Sequence, residues 1–276
     1  DKSRVTTPEV NARNFNVFYQ MLAMSQDSNI YAELQQYGLG ELGLYEYLLP
    51  AEGTAVDASV LGSRAQDSVD CDLLLHSLGE IGFSSVEILG LFRILLGILH
   101  LGNVRFIDVE DEDGELVVDI EDESPLLSAT VALGVDVSAL FDTMTTTRST
   151  GRLVRVIRQS EQRASFQRDE ICRYLYHALF RAVVEQANFI LAPPKVDGVV
   201  KPGGDLLGKD EERPFICLVD VCNVTTSAIN RFDSFLANYA SEKIQNVVYS
   251  QTFDAYSSFY LEPVGEKSNV VSEGSE

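Results

Sequence analysis

The stretch EILGLFRILLGILHLGN, residues 87–103, constrains the fold more than any other part of this sequence. Ser84 and Glu87 match a capping box, in which a hydroxyl and a glutamate three residues apart mark the start of a helix. The predicted helix is apolar on nearly every side, and such a helix must be surrounded by protein. The apolar run at 88–101 is too short and too interrupted to span a bilayer. The sequence therefore predicts a fold that is mainly α with a small β component, and no membrane span.

The charge balance argues against general nucleic-acid binding. The chain has 21 Lys and Arg residues and 42 Asp and Glu residues, a net charge of −21, and a protein this acidic repels a phosphate backbone. The four cysteines are scattered without paired spacing, which is typical of free buried thiols in a reducing compartment. The first residues, DKSRVTTPEV, have no apolar core and do not form a signal peptide. We therefore expect a cytoplasmic protein, and an initial Asp in place of Met fits a piece of a longer chain.

Turn and periodicity signals divide the chain into four parts. FICLVDVC, residues 215–222, is apolar on both faces, which is typical of a strand buried in a mostly parallel sheet. Within the four parts we expect two short helices at 124–146, a long helix at about 160–191 and a last helix at about 228–260. The predicted parts are a helical lobe with an acidic hairpin at 1–150, a loop and long helix at 151–192, a flexible loop at 193–214, and the strand with the last helix at 215–276.

An acidic hairpin is predicted between the first long helix and the two short ones. Residues 108–123 carry ten acidic side chains and no basic one, and Asp113-Gly114 is typical of a hairpin turn. A calcium loop is the alternative. With Gly114 at its sixth position, however, Val109 and Ile120 fall at the first and last positions, where oxygen ligands are required. A solvated hairpin is therefore favoured.

Two glycine-rich stretches match parts of nucleotide-binding motifs. GLGELG, residues 38–43, matches G-x-G-x-x-G but follows a predicted helix instead of a strand, so a helix-to-helix loop is favoured. GGDLLGKD, residues 203–210, matches a phosphate loop until Asp210, where magnesium binding requires Ser or Thr. The three histidines, His76, His100 and His177, lack the spacing of a metal site or a catalytic triad. Packing is their default role.

A basic stretch interrupts this acidic chain. Eight arginines and three acids lie between Arg148 and Arg181, a local charge of 8 − 3 = +5. Alternation in RSTGRLVRVIR, residues 148–158, indicates an exposed ribbon or loop. The arginines either neutralise the chain's own acidic surface, such as residues 108–123, or dock an acidic partner, because arginine makes forked contacts and steers association. Charge alone favours neither interpretation.

Three long stretches follow the pattern of one family. They are SRVTTPEVNARNFNVFYQML (3–22), IGFSSVEILGLFRILLGILHLGNVRF (81–106) and EQRASFQRDEICRYLYHALFRAVVEQAN (161–188). In this order they resemble the central part of a myosin motor domain, from the segment after switch I to the helix that follows an actin-contacting loop. Residues 148–157 match the position of that loop. The resemblance implies the helical lobe of a myosin-type P-loop motor, with one or two strands of its central sheet.

The segment from Asp220 to Gln245 resembles the switch II and relay helix of the same family. The family pattern D-I-x-G-F-E, N-S-F, N-Y-x-N-E-K-L-Q aligns with it without a gap. The resemblance gives Asp220 an indirect role at magnesium, through a bound water. It assigns relay positions to Asn230, Phe232, Asn238, Tyr239, Glu242 and Lys243, and actin contacts to Arg148, Arg152, Arg155 and Arg158.

The switch II-like turn departs from the family where the nucleotide is sensed. Asn223 stands in place of the glycine whose N–H points at the γ-phosphate, and its side chain crowds the approach. Thr225 stands in place of the glutamate that closes the site, and it has neither the charge nor the reach. Asp220 is retained, but no catalytic role is assigned with confidence to these three residues. The phosphate loop and most of switch I would precede residue 1, and the reactive-thiol helices, converter and lever arm would follow residue 276.

The resemblance implies part of an actin-based, ATP-driven motor at the cytoskeleton. The implied cofactors are ATP and Mg, which we do not expect this chain alone to bind tightly. The implied partners are the actin filament and the remainder of a myosin motor. Because phosphoryl transfer depends on positioning and electrostatic clamping, we expect the isolated chain to be inactive as an ATPase. The alternatives are a non-catalytic actin-binding or scaffold pseudo-motor, and a truncated product without an independent role.

Overall fold

The computed structural model describes residues 2–8, 12–49, 62–110, 114, 116–148, 156–158, 160–191, 224 and 232–254. The chain forms two compact units, one of residues 2–208 and one of residues 209–276 with Asp1. The predicted boundaries at 150, 192 and 214 remain predictions.

Helices dominate the described part of the larger unit, as predicted. They are α1 (Asn16–Leu22), α2 (Asn29–Gln36), α3 (Arg64–Glu80), α4 (Ser85–Gly102), α5 (Ser124–Leu133), α6 (Val137–Thr145) and α7 (Glu161–Leu191). Short 3₁₀ turns lie at Lys2–Val5, Leu42–Leu44 and Glu46–Leu48. Two antiparallel pairs of strands complete it, β1 (Phe106–Glu110) with β2 (Leu116–Ile120), and β3 (Thr146–Arg148) with β4 (Val156–Arg158).

The apolar helix α4 is the centre of the core. Its capping box forms as predicted: the Ser84 N–H donates to Glu87 Oε2 at 2.8 Å, and the Glu87 N–H donates to Ser84 Oγ at 3.3 Å. The residues from Leu95 to Gly102 are all buried, and α2, α3, α5 and α7 pack around the helix. A helix without a polar face is stable here because protein surrounds it.

The length argument against a membrane span was wrong for this helix. Among the described residues, Ser85–Gly102 is long and apolar enough to cross a bilayer by length and composition. However, 56% of that window is buried inside the protein. Its surroundings are therefore those of a core helix.

Two glycines let neighbouring segments approach α4 closely. A Cβ on Gly97 would lie 2.6 Å from the Leu133 side chain of α5, and a Cβ on Gly102 would lie 2.7 Å from the Tyr47 ring. Arg93 binds the end of α5, because its Nε donates to the Ala132 carbonyl oxygen at 3.1 Å. A cation at a helix C-terminus is favourable because carbonyl groups there lack helical partners.

The hairpin and the two short helices confirm the predictions for this part of the chain. β1 pairs with β2 from Phe106 opposite Ile120 to Glu110 opposite Leu116. Gly114 has φ 77°, a left-handed conformation that favours glycine. Helices α5 and α6 follow within the predicted range. The acidic residues at 111–113 and 115 lie outside the described residues, so the choice between a solvated hairpin and a calcium loop stays a prediction.

The described part of the smaller unit is mainly one helix. Helix α8 (Phe232–Tyr249) continues into a π-helical turn at Ser250–Asp254. The predicted helix over about 228–260 is thus confirmed across its centre, and its predicted ends lie outside the described residues. The predicted strand at 215–222 lies outside them as well.

Candidate functional site

The arginine-rich segment begins and ends in an antiparallel ribbon. Thr146 pairs with Arg158, Thr147 with Ile157 and Arg148 with Val156. Arg148 and Arg158 therefore lie on the two paired strands of one ribbon. Arg152 and Arg155 lie outside the described residues. The choice between ribbon and loop is settled for the two described ends.

Two helices anchor the ribbon in the larger unit. Strand β3 continues directly from α6, and α7 begins shortly after β4. Met144, near the end of α6, and Ala164, in the first turn of α7, are fully buried, and the two helices pack against each other. The Asp108 carboxylate of β1 accepts a hydrogen bond from the Glu161 N–H at 3.1 Å. The start of α7 is therefore also tied to the acidic hairpin.

The arginines of α7 interact largely within their own helix. Arg168 Nη2 lies 2.8 Å from Asp169 Oδ1, Arg173 Nη2 lies 2.7 Å from Glu170 Oε1, and Arg181 Nη2 lies 2.8 Å from Glu185 Oε1. The first two arginines are 14% and 13% exposed in their side chains, so solvent screens them only in part. Their charges stabilise the helix and its contacts, which leaves the ribbon as the candidate docking element.

A buried polar cluster joins α7 to the turn before α3 and to the end of α4. The Tyr47 hydroxyl donates to Asp169 Oδ1 at 2.6 Å and lies 3.7 Å from the Cys172 sulfur. Arg168 Nη1 donates to the Val104 carbonyl oxygen at 2.6 Å. Burial raises the pKa of the Cys172 thiol to about 12 and raises the pKa of Tyr47. Both groups are therefore neutral near pH 7, and this cluster has the character of a structural joint.

The segment that resembles the region after switch I is held by side chains from several elements. Asn14 is fully buried, and its Nδ2 donates to the carbonyl oxygens of Val5 at 2.8 Å and Tyr47 at 2.9 Å. Arg173 Nη1 of α7 donates to Thr6 Oγ1 at 2.6 Å. The Phe15 ring stacks on Tyr176 with centroids 4.6 Å apart. Helix α7 therefore contacts this segment in its middle and the ribbon at its start.

A bifurcated contact also holds the same segment to α3. Arg13 Nη2 lies 2.8–2.9 Å from both carboxylate oxygens of Asp67, and the guanidinium lies 4.0 Å from the centroid of the Tyr19 ring. The side chains of Arg13 and Asp67 are 19% and 10% exposed. Sequence reasoning missed this pair because its members are 54 residues apart, and neither belongs to a local motif.

Helix α8 presents a row of aromatic residues. The rings of Phe232 and Phe235 have centroids 6.2 Å apart, and those of Phe235 and Tyr239 lie 6.4 Å apart. All three residues are exposed within the described structure. Lys243 Nζ lies 5.5 Å from the centroid of Tyr239. Of the relay-like residues, Phe232, Asn238, Tyr239, Glu242 and Lys243 are on α8, and Asn230 lies outside the described residues.

A family comparison decides how these elements are classified. The family model for the myosin head (motor domain) matches residues 1–264. The chain belongs to the myosin head family. Helices α1–α8 and the ribbon all fall within the matched range, so the larger and the smaller unit both belong to the region of similarity.

Individual myosins show the same relationship. The chain is 31% identical over 250 residues to unconventional myosin-Ig of Mus musculus, which covers 90% of this chain and 23% of that protein. It is 30% identical over 251 residues to unconventional myosin-Id of Bos taurus, and the match covers 90% of this chain and 22% of that protein. It is 27% identical over 257 residues to the myosin-K heavy chain of Dictyostelium discoideum, and the match covers 91% of this chain and 26% of that protein. The chain thus spans about a quarter of the length of these relatives.

The myosin-like nucleotide residues cannot be placed in this structure. Asp220, Asn223 and Thr225 lie outside the described residues, so their fit to Mg and the γ-phosphate stays a prediction. Within the described ranges, no group of three or more His, Cys, Asp or Glu side chains is arranged to hold a metal ion. The described candidate site of this myosin-family chain is therefore the ribbon with its two anchoring helices.

Proposed function

We propose that this chain is part of an actin-based myosin motor and that it contacts the actin filament through the 146–158 ribbon. The observation that carries the proposal is the match to the myosin head family over residues 1–264. The position of the arginines supports it, because Arg148 and Arg158 lie on the paired strands of a ribbon anchored by α6 and α7. A cytoskeletal location in the cytoplasm follows from this proposal.

Anchoring at both ends suits the ribbon for docking a partner. Binding groups on a preorganised element lose less conformational entropy when they bind. Met144 and Ala164, which flank the ribbon, are fully buried. Arginines on such an element make forked contacts with carboxylates of an acidic partner. The arginines on α7 that pair with acids of the same helix are not needed for this function.

Co-sedimentation with actin filaments tests the ribbon. We expect binding that weakens as salt rises, because exposed charges are screened. Changing Arg148, Arg152 and Arg155 together to Ala removes three charges. Each exposed ion pair contributes up to about 1 kcal/mol, so we expect affinity to fall about tenfold or more. A control variant replaces three exposed arginines elsewhere, Arg64, Arg105 and Arg181, with Ala.

The outcomes of this experiment separate docking from general charge. Loss of binding in the ribbon variant and retention in the control variant supports the proposal. Equal loss in both variants would mean that net charge, and not the ribbon, governs binding. No binding at any ionic strength would contradict the proposal and leave neutralisation of the chain's own acidic surface as the role of these arginines.

We also propose that these 276 residues alone do not hydrolyse ATP. The phosphate-loop pattern at 203–210 has Asp210 where Ser or Thr is required. Asn223 and Thr225 replace the glycine and the glutamate of the family's switch II pattern. ATP and Mg are the cofactors proposed for the complete motor. A steady-state ATPase assay of the chain with and without actin tests this, and turnover well above background would refute it.

The switch II departures favour a second candidate, a non-catalytic actin-binding pseudo-motor. Restoring Asn223→Gly and Thr225→Glu in a chain extended by its flanking coding sequence distinguishes the two. ATPase activity in the unmodified extended chain supports the motor. Activity that is absent, and that appears in the restored variant, supports the pseudo-motor.

A further inference from the structure

His100 contacts the end of α2 and the loop that follows it. It lies in the last turn of α4 and is 7% exposed. Its Nε2 is 3.1 Å from the carbonyl oxygen of Tyr37, the residue at the end of α2. A neutral imidazole must therefore carry its proton on Nε2 to donate this hydrogen bond. The Tyr45 ring lies edge-on to the imidazole, with centroids 5.8 Å apart.

The residues around the imidazole belong to one glycine-rich segment, residues 38–45, which we call the 38–45 loop. Gly38 has φ 82°, and a Cβ built on it would lie 3.4 Å from His100 Nε2. The Tyr45 hydroxyl accepts a hydrogen bond from the Gly40 N–H at 2.8 Å. The loop therefore folds over the imidazole and holds it away from water. Glycine adopts positive and negative φ about equally readily, so Gly38 can change conformation without steric strain.

The same loop forms one wall of a cavity of about 450 Å³. Leu39, Gly40, Glu41 and Leu42 line this wall. Residues from α1, α2 and the start of α3 line the others. A movement of the loop changes the cavity as well as the cover over His100.

In the part of the chain that the structure describes, no acidic side chain provides the imidazole with a counter-ion. Arg93 of α4 lies over the Tyr37 ring, 4.2 Å from its centroid. Glu46, beyond the loop, forms an ion pair with Arg105. Among the described residues, the Tyr37 carbonyl is the hydrogen-bond partner found for the imidazole. Protonation would add a second N–H and a positive charge at a site that has little access to water.

We propose that the 38–45 loop is a pH-sensitive cover, which opens when His100 gains a proton and thereby opens the adjoining cavity. Burial lowers the pKa of His100, although the hydrogen bond to Tyr37 and the helix C-terminus both favour the charged form. The closed loop therefore favours neutral imidazole, and the open loop allows hydrated imidazolium. Because the closed form has the lower histidine pKa, the closed loop is most stable at pH values above the ordinary pKa near 6.5. This stability is lost as the pH falls below that value.

The size of the change in the open population follows from the proton that only the open form binds. If the closed form stays neutral, the open population rises about tenfold between pH 7.5 and pH 5.5 for an open-state pKa near 6.5. Hydrogen exchange of the loop amides, corrected for their intrinsic rates, measures this population. We expect a tenfold faster corrected exchange across 38–45 in the 276-residue chain, with the amides of α5 unchanged.

The chain contains its own controls, because its other two histidines are exposed. His100→Gln should abolish the pH response of the loop, and His76→Gln and His177→Gln should leave it intact. If His100→Gln does not fold, titration of the three imidazole C–H signals by NMR in the unmodified chain replaces it. The His100 signals should titrate with a lowered pKa, together with the loop signals. A loop that exchanges at the same corrected rate at both pH values, or a response that persists in His100→Gln, overturns the proposal.

Discussion

Asp108 and Glu161 join the acidic hairpin to the helix that follows the ribbon. The Asp108 carboxylate accepts a hydrogen bond from the Glu161 N–H at 3.1 Å, at the end of the helix where N–H groups lack partners. A carboxylate at this position also interacts favourably with the helix dipole. Asp108 is thus tied to α7 by a specific contact in addition to its charge.

Asp108→Ala should destabilise the larger unit by about 0.5–2 kcal/mol, as loss of a helix N-cap typically does. Urea unfolding followed by circular dichroism measures the change. Glu110→Ala, an exposed acid on the same strand, serves as the control and should change stability by less than about 0.5 kcal/mol. Equal effects of the two substitutions would show that the hairpin's total charge matters and the contact does not.

Gly102→Ala should be destabilising by about 1–3 kcal/mol, since overpacking forces neighbours apart. The added Cβ would lie 2.7 Å from the Tyr47 ring, which is rigid and buried. Gly90→Ala is the matched control in the same helix, because a Cβ there meets nothing within 4 Å. It should stabilise the protein by up to about 1 kcal/mol through helix propensity. Thermal unfolding of both variants tests the opposite signs.

Tyr47→Phe removes a buried hydroxyl that donates to Asp169 at 2.6 Å. We expect a loss of about 1 kcal/mol, because Asp169 keeps its contacts with Arg168 and is only partly deprived of partners. Tyr174→Phe, at a residue 70% exposed on the same helix α7, controls for the change of residue type. Were Tyr47→Phe neutral in urea unfolding, the cluster would not stabilise the joint between α7 and α4.

Acid should weaken the start of α4 through Glu87. The Ser84 hydroxyl and backbone N–H lower the pKa of this carboxyl below its ordinary value of 4.5. A lowered pKa in the folded state gives stability that is present above the unfolded pKa and is lost as pH falls through the folded one. The stability advantage of the native chain over Glu87→Gln should therefore be larger at pH 7 than at pH 3. An advantage independent of pH would contradict this assignment.

Local sequence signals were sufficient to predict a helix where an apolar pattern is bounded by a recognisable start or stop signal. The capping box at Ser84 and Glu87 and the continuous apolar run identified α4, and both features appear in the structure. Gly134, with φ 70° at the end of α5, is a similar local stop signal. Length, by contrast, was a poor guide to a membrane span for α4, because a core helix and a spanning helix share length and composition.

The site was less accessible to sequence reasoning because its contacts are distant along the chain. Alternation in 148–158 could not distinguish a ribbon from a loop, since strand pairing depends on register. Arg168 and Arg173 had the same weight as Arg148 in the charge count, but their contacts with Val104 and Thr6 are separated by 64 and 167 residues. Charge counts identify a basic region, and tertiary contacts decide which members are available to a partner.

The pairing of Thr146 with Arg158 brings the entrance and the exit of the arginine segment to neighbouring positions. The stretch between them can therefore differ in length or composition among related proteins without moving either anchoring helix, as long as the first and last pairs remain. On the proposed function, changes in this stretch would alter the strength of actin binding independently of the two helices that anchor the ribbon.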